Sequence, residues 1–227
     1  PGFSTTDAQT QLAAYGCGNL HITSDPEEMA KAADAVIDFT SPEATLGVAE
    51  AVAKAGKIHI IGTTGFSAPQ LDKLKTAGKK ARIVQSGNFS LGVNLLEKLV
   101  TQAAALLDES YDIEIFEMHH RHKKDSPSGT ALMLGEAAAR GRGVALADKK
   151  KLDRHGERNP GDIGFSVARG GDVVGIHHVA FAGSGEMIEL KHQGFSRGIY
   201  AQGALHAALW ADGRKPGLYS MQDVLGD

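Results

Sequence analysis

One cysteine, Cys17, is all the thiol chemistry that 227 residues carry. That excludes an intrachain disulfide framework and a thiolate-rich zinc site, and it fits a reducing, cytoplasmic compartment. Long apolar runs are missing as well: no stretch approaches the roughly 20 residues needed to span a bilayer, and the N-terminus has no signal-peptide pattern. With 24 Lys and Arg against 27 Asp and Glu, the formal net charge of -3 gives no bulk attraction to nucleic acid or to an anionic membrane. A Gly-x-Gly-x-x-Gly phosphate fingerprint is also lacking, since Gly16-Cys17-Gly18 runs on into Asn19-Leu20-His21 without a flanking strand and helix. What is present is 42% hydrophobic residues, enough to bury a sizeable core in one large or two small domains.

Residues 1 to 24 are rich in Gly, Ser and Thr and show no clear periodicity. From Asp25 a regular alternation begins. The pattern predicts a helix at Pro26 to Ala33, a strand at Ala35 to Phe39, a helix at Pro42 to Ala55 and a strand at Lys57 to Ile61. A helix near Ala68 to Lys79 and a strand at Arg82 to Gln85 continue it. Short buried strands alternating with amphipathic helices imply βαβ units on a parallel sheet. Ser41 before Pro42, and Ser67 three residues before Gln70, mark helix starts. Gly62-Thr63-Thr64-Gly65 and Ser86-Gly87-Asn88-Phe89 are therefore strand-end loops, where open α/β sheets bind ligands.

A helix at Leu91 to Leu107 and a strand at Asp112 to Met118 follow, then a helix at Ala131 to Ala139 and a polar loop at Lys149 to Gly161. Gly164 to Lys191 reads as meandering β interrupted by Gly170-Gly171 and Gly183-Ser184-Gly185, and a last helix covers Gly198 to Ala211. The fold class is α/β, a Rossmann-like parallel sheet followed by an α+β half. Arg169 before Gly170-Gly171 reads as part of a tight hairpin, and Arg197 as either a carboxylate ligand or a structural ion pair.

The most informative segment runs from Glu117 to Thr130, Glu-Met-His-His-Arg-His-Lys-Lys-Asp-Ser-Pro-Ser-Gly-Thr. Six potentially cationic groups, from His119 to Lys124, repel one another, so a fold tolerates them best where an anion arrives or protons move. Ser128, Gly129 and Thr130 sit where a helix start offers unpaired amides to a carboxylate. Arg121 and Lys123 supply charge, and His119 or His120 supplies a proton near neutral pH. The pocket suits an anionic, dicarboxylic small molecule that must be protonated. Two alternatives stand beside this one. The run can be a solvated basic face, or His119, His120 and His122 can be zinc ligands, although adjacent strand residues point to opposite faces and only His120 and His122 can converge.

Taken in order, these motifs resemble the 4-hydroxy-tetrahydrodipicolinate reductase (dihydrodipicolinate reductase) family of lysine synthesis. The pieces that carry the resemblance are Val36-Ile37-Asp38-Phe39-Thr40, Ile61-Gly62-Thr63-Thr64-Gly65-Phe66, Asn88-Phe89-Ser90, Glu117 to Lys123 and Pro127-Ser128-Gly129-Thr130-Ala131. Ile163-Gly164-Phe165, Arg169 with Gly171-Asp172, and Ala208-Leu209-Trp210 continue it. The resemblance implies NADPH- or NADH-dependent reduction of 4-hydroxy-tetrahydrodipicolinate to tetrahydrodipicolinate in diaminopimelate and lysine biosynthesis. By position, His119 is implied as the proton donor and Lys123 as a second acid. His120, Ser128, Gly129 and Thr130 are implied as substrate ligands, and Gly62, Thr63, Thr64, Gly87, Asn88 and Phe89 as the nicotinamide end of the cofactor site, with no metal. Residues 1-89 with 198-227 are implied as the nucleotide-binding domain, and 90-197 as the substrate-binding domain through which a cytoplasmic homotetramer forms. Family members begin with a strand, a glycine-rich phosphate loop and a helix, a segment that would lie upstream of Pro1, so the nucleotide-binding sheet is expected to be N-terminally incomplete. The competing expectation is a non-catalytic anion-binding or assembly module that keeps the substrate pocket.

Overall fold

The computed structural model describes residues 10, 13–14, 16–17, 20–152 and 155–226. Gly18 and Asn19 of the aperiodic opening, and Asp153 and Arg154 of the polar loop, lie outside the described residues. The chain forms two compact units, Pro1–Ser86 with Ala207–Ser220 and Gly87–His206 with Met221–Asp227. Residues 87–89, 198–206 and 221–227, which the sequence assigns to the nucleotide half, lie in the second unit.

The first unit is built as the periodicity predicts. Helix α1 (Pro26–Ala32) starts on Asp25, whose carboxylate accepts the Glu27 amide at 2.8 Å. Strand β1 (Ala35–Asp38) leads through the Ser41 cap to α2 (Pro42–Ala55), which ends on Gly56 at φ 66, a left-handed conformation that glycine adopts without strain. Strand β2 (Ile58–Ile61) is buried along its whole length, as a central parallel strand must be. Helix α3 (Ala68–Gly78) begins with the Ser67–Gln70 capping box, and β3 (Arg82–Gln85) completes the predicted set. The sheet order is β1-β2-β3-β9, every pair parallel, with β9 (Gly217–Tyr219) added at the edge. Three residues carry too little pattern for β9 to be read from sequence. Val36, Val52, Ile61, Leu74 and Ile83 form the core of this unit.

The second unit holds a five-stranded mixed sheet against α4 (Leu91–Leu106) and α5 (Gly129–Arg142). Between them runs β4 (Asp112–His119), and the polar loop that follows contains a short helix α6 (Leu146–Lys149) and the two-residue β5 (Lys150–Lys151). Strands β6 (Ile163–Arg169), β7 (Gly175–Ala182) and β8 (Met187–Gly194) precede α7 (Gly198–Ala211), and α8 (Met221–Leu225) ends the chain. The order β5-β6-β4-β7-β8 corrects the expected tight hairpin at Gly170-Gly171: β6 and β7 lie on opposite sides of β4, parallel and antiparallel to it. The turn instead crosses the end of β4, where the Gly170 amide donates to the His119 carbonyl and the Arg121 amide to the Gly171 carbonyl. Among the described residues only β7 and β8 form a hairpin. A sequence shows which segments are strands, while strand partners are joined at backbone edges, through groups every residue carries. Ile113, Ile115, Leu134, Phe165, Val179 and Phe181 make the core.

Candidate active site

The alternation of β4 decides what its last residues do. Ile113 and Ile115 face the helices, so with a period of two Glu117 and His119 face the same way. Both are buried, Glu117 at 1% exposure and His119 at 7%. A buried carboxylate is tolerable only with partners, and Glu117 has three, which make four hydrogen bonds to it. Arg169, opposite His119 at the end of β6, forms a bidentate pair, Nη1 to Oε2 and Nη2 to Oε1 at 2.9 Å each. The Ser128 amide donates to Oε1 at 3.1 Å, and His119 Nδ1 lies 2.5 Å from Oε2. Burial alone raises the Glu117 pKa, but Arg169, His119 and the Ser128 amide outweigh it and hold the group below its ordinary value. Glu117 is therefore ionised and accepts, so His119 donates through Nδ1. That leaves Nε2 as the nitrogen that exchanges a proton.

Nε2 of His119 faces Gly175, where a Cβ would come within 3.1 Å of it. The glycine keeps that nitrogen clear. Burial lowers the basicity of His119 more than Glu117 raises it, and the group titrates below its ordinary 6.5. Beneath it lies His177, 3% exposed, with ring centroids 5.0 Å apart and planes at 71°. Burial and then the charge of His119 push His177 down to about 4, so it is neutral wherever His119 works.

The helix start at Ser128 is confirmed and shifted: α5 begins at Gly129, not Ala131, and runs to Arg142. The Ser128 hydroxyl accepts the Ala131 amide at 3.1 Å and lies 3.3 Å from His177 Nε2, while its own amide serves Glu117. Ser128, expected to bind substrate, holds the frame through its amide and its hydroxyl. Gly129 and Thr130 carry the first-turn amides that the cap does not take. The Thr130 hydroxyl accepts from Asn88 Nδ2 at 3.1 Å.

Lys123 sits in the turn after β4, its Nζ 2.8 Å from Asp125 Oδ1, and Arg169 Nη2 donates to the Asp125 carbonyl at 2.7 Å. One guanidinium thus fixes both the partner of His119 and the loop that bears Lys123. His120 leaves the strand on the other side from His119, and its ring lies 6.3 Å from that of His122. Among the described residues no group of three or more His, Cys, Asp or Glu side chains is arranged to hold a metal ion.

The residues expected to hold a cofactor fall into two sets. In the first unit, Gly62 has no room for a Cβ, which would meet the Phe39 ring at 2.1 Å; Thr63 is buried and Thr64 exposed. In the second, Gly87, Asn88 and Phe89 precede α4. The Asn88 side chain accepts the Ser90 amide, and Phe89 is fully buried, so its ring belongs to the core. The exposed strand-end loop after β2, with its glycines and free-standing Thr64, suits the backbone contacts a nicotinamide requires. Sequence reasoning missed Glu117 and His177 as members of the site and read Arg169 as a turn residue. The one available signal was the alternation in β4, which puts a carboxylate and an imidazole on a buried face.

The family model for dihydrodipicolinate reductase, N-terminus, matches residues 3–89, and that for dihydrodipicolinate reductase, C-terminus, matches residues 92–225. The chain is 55% identical over 230 residues to the 4-hydroxy-tetrahydrodipicolinate reductase of Dinoroseobacter shibae, covering 100% of this chain and 86% of that protein. It is 56% identical over 216 residues to that of Beijerinckia indica subsp. indica, covering 93% and 80%. The solved structure of dipicolinate-bound dihydrodipicolinate reductase from Paenisporosarcina sp. TG-14 has the same fold, with a TM-score of 0.72 at 22% identity over 92% of this chain and 82% of that one. The chain belongs to the dihydrodipicolinate reductase family, NAD(P)H-dependent oxidoreductases of lysine and diaminopimelate biosynthesis.

Proposed function

We propose that this member of the dihydrodipicolinate reductase family reduces 4-hydroxy-tetrahydrodipicolinate to tetrahydrodipicolinate, the 4-hydroxyl leaving as water and His119 delivering the proton that completes the reduction. The observation that carries the assignment is the Glu117–His119 pair, held by Arg169 and the Ser128 amide, with Nε2 facing the open side of Gly175. Reduced nicotinamide supplies the hydride. Gly62, Thr63 and Thr64 of the first unit are the residues that hold it.

Lys123 is the second acid and a cation for a substrate carboxylate, and to reach it Lys123 leaves Asp125. The amides of Gly129 and Thr130, at the positive end of α5, receive a carboxylate beside His120. That the relative from Paenisporosarcina is described as dipicolinate-bound supports a planar dicarboxylate in such a seat. The dianion adds negative charge beside His119 and raises its share of the imidazolium form. A homotetramer through the β-rich unit accords with helices covering one face of the five-stranded sheet, while Phe116 on the other face is 37% exposed. No described helix is long and apolar enough to cross a membrane.

Nicotinamide oxidation followed at 340 nm with freshly prepared substrate tests the assignment. His119→Gln is expected to lower kcat by about a thousandfold with little change in KM, and Lys123→Ala to raise the substrate KM as well. Wild-type turnover in His119→Gln refutes the role of His119.

A further inference from the structure

A second buried charged cluster lies in the first unit. Asp38, the last residue of β1, is 3% exposed, and His59, in the middle of β2, is fully buried. His59 Nε2 lies 3.2 Å from Asp38 Oδ2. The other oxygen, Oδ1, accepts the Thr40 amide at 3.0 Å, the Thr40 hydroxyl at 2.6 Å and the Thr63 hydroxyl at 3.4 Å. Thr63 Oγ1 accepts in turn from the Thr40 amide at 3.0 Å and from the Thr45 hydroxyl at 2.9 Å. One carboxylate thus ties together the loop after β1, the loop after β2 and the first turns of α2.

Stability does not call for such an arrangement. Desolvating a carboxylate and an imidazole is costly, and apolar residues of the same volume commonly serve a core as well or better. What the cluster supplies is fixed geometry. Thr63 is held by three partners, Gly62 before it is closed in by the Phe39 ring, and Thr64 after it is exposed, so the backbone presented by Gly62–Thr64 cannot shift without breaking bonds to Asp38. We propose that Asp38 is a positioning residue for dinucleotide binding, fixing the Gly62–Thr64 loop through Thr63 in the shape that receives the reduced nicotinamide cofactor, with His59 as the partner that makes the buried carboxylate tolerable. The inference rests on the assignment of Gly62–Thr64 to the cofactor under Proposed function.

The test compares Asp38→Ala, Asp38→Asn and Thr45→Val in the intact enzyme, reading KM for NADPH and NADH, kcat at saturating cofactor, and the Kd of pyridine-2,6-dicarboxylate. Asp38→Ala is expected to raise the cofactor KM about tenfold or more, with kcat and dicarboxylate Kd within about twofold of wild type. Asp38→Asn is expected to rescue most of this. Its oxygen still accepts from Thr40 and Thr63, and its amide donates to His59 Nε2 once that ring moves its proton to Nδ1, which has no partner among the described residues. Thr45→Val removes one donor to Thr63 and is expected to raise the cofactor KM about threefold; it carries the test if Asp38→Ala does not fold. An unchanged cofactor KM in folded Asp38→Ala and in Thr45→Val overturns the proposal, and so does an equal loss in cofactor and dicarboxylate binding, the mark of a merely structural role. Thr64→Pro, which removes the backbone N–H of an exposed residue, separates the two levels. If it leaves cofactor KM unchanged, the cofactor assignment fails and this inference with it; if it raises KM while the Asp38 and Thr45 variants do not, only this inference fails.

Discussion

At the scale of single residues, Glu117 explains how a buried histidine serves as an acid. Its carboxylate accepts from Nδ1, fixes the tautomer and offsets part of the burial that drives His119 below its ordinary 6.5. Because the reaction needs the imidazolium, kcat/KM is expected to fall as pH rises through the His119 pKa. Glu117→Gln removes the negative charge that raises this pKa, so the alkaline limb should move to lower pH, with about a tenfold loss at neutral pH for each unit of displacement. A pH profile from 5 to 9 checks this; an alkaline limb unmoved in Glu117→Gln would mean that another group donates the proton. Arg169 shows why the residue scale is hard to read from sequence. Beside two glycines it has the look of a turn residue, and only its position opposite His119 in the parallel register makes it the clamp of Glu117.

At the scale of elements, the site is one strand end and one helix start. The alternation of β4 sends Glu117 and His119 inward, and Ser128 begins α5 where Gly129 and Thr130 offer their amides. Ser128 joins the two elements, since its amide holds Glu117, its hydroxyl caps α5, and the same hydroxyl reaches His177. Ser128→Ala is expected to destabilise the protein by about 1–2 kcal/mol, the usual range for a lost N-cap with a second partner, and to weaken dicarboxylate binding severalfold as the first turn frays. Urea unfolding and dicarboxylate titration measure the two effects, and a variant as stable as wild type would show that the cap contributes nothing. Most elements were legible because each has a strong local signal, such as the Ser41 and Ser67 caps and the three isoleucines of β2. The order of β6, β4 and β7 was not legible. Strand pairing is made between backbone edges, through groups every residue carries, and no residue near Gly170 records it.

At the scale of the whole molecule, stability and chemistry share groups. His177 is neutral in the folded protein down to about pH 4, whereas an unfolded histidine titrates near 6.5. Between those values the unfolded state binds more protons, so stability is complete above 6.5 and falls as pH drops towards 4, by up to about 3 kcal/mol from this residue. His119 adds in the same direction, while Asp38, held at about 2, contributes only below the ordinary carboxylate range. The urea midpoint is expected to drop between pH 7 and pH 4.5, and His177→Gln, which keeps an acceptor for Ser128, to flatten that slope in part. A slope identical to wild type would place the acid sensitivity elsewhere.

The sequence by itself determined the class of fold, the two kinds of half and the address of the chemistry. Periodicity, caps and the Glu117–Thr130 run are local properties that survive without any knowledge of partners. His119, Lys123, Gly129 and Thr130 were in place as candidates on those grounds. Only the tertiary structure decided that Glu117, Arg169 and His177 stand around His119, that the Ser128 amide serves Glu117, and that Asp38 and His59 meet inside the parallel sheet. The reason is physical: each of these contacts joins residues far apart in the chain, and a buried polar group reveals its purpose only through the partner that makes its burial tolerable.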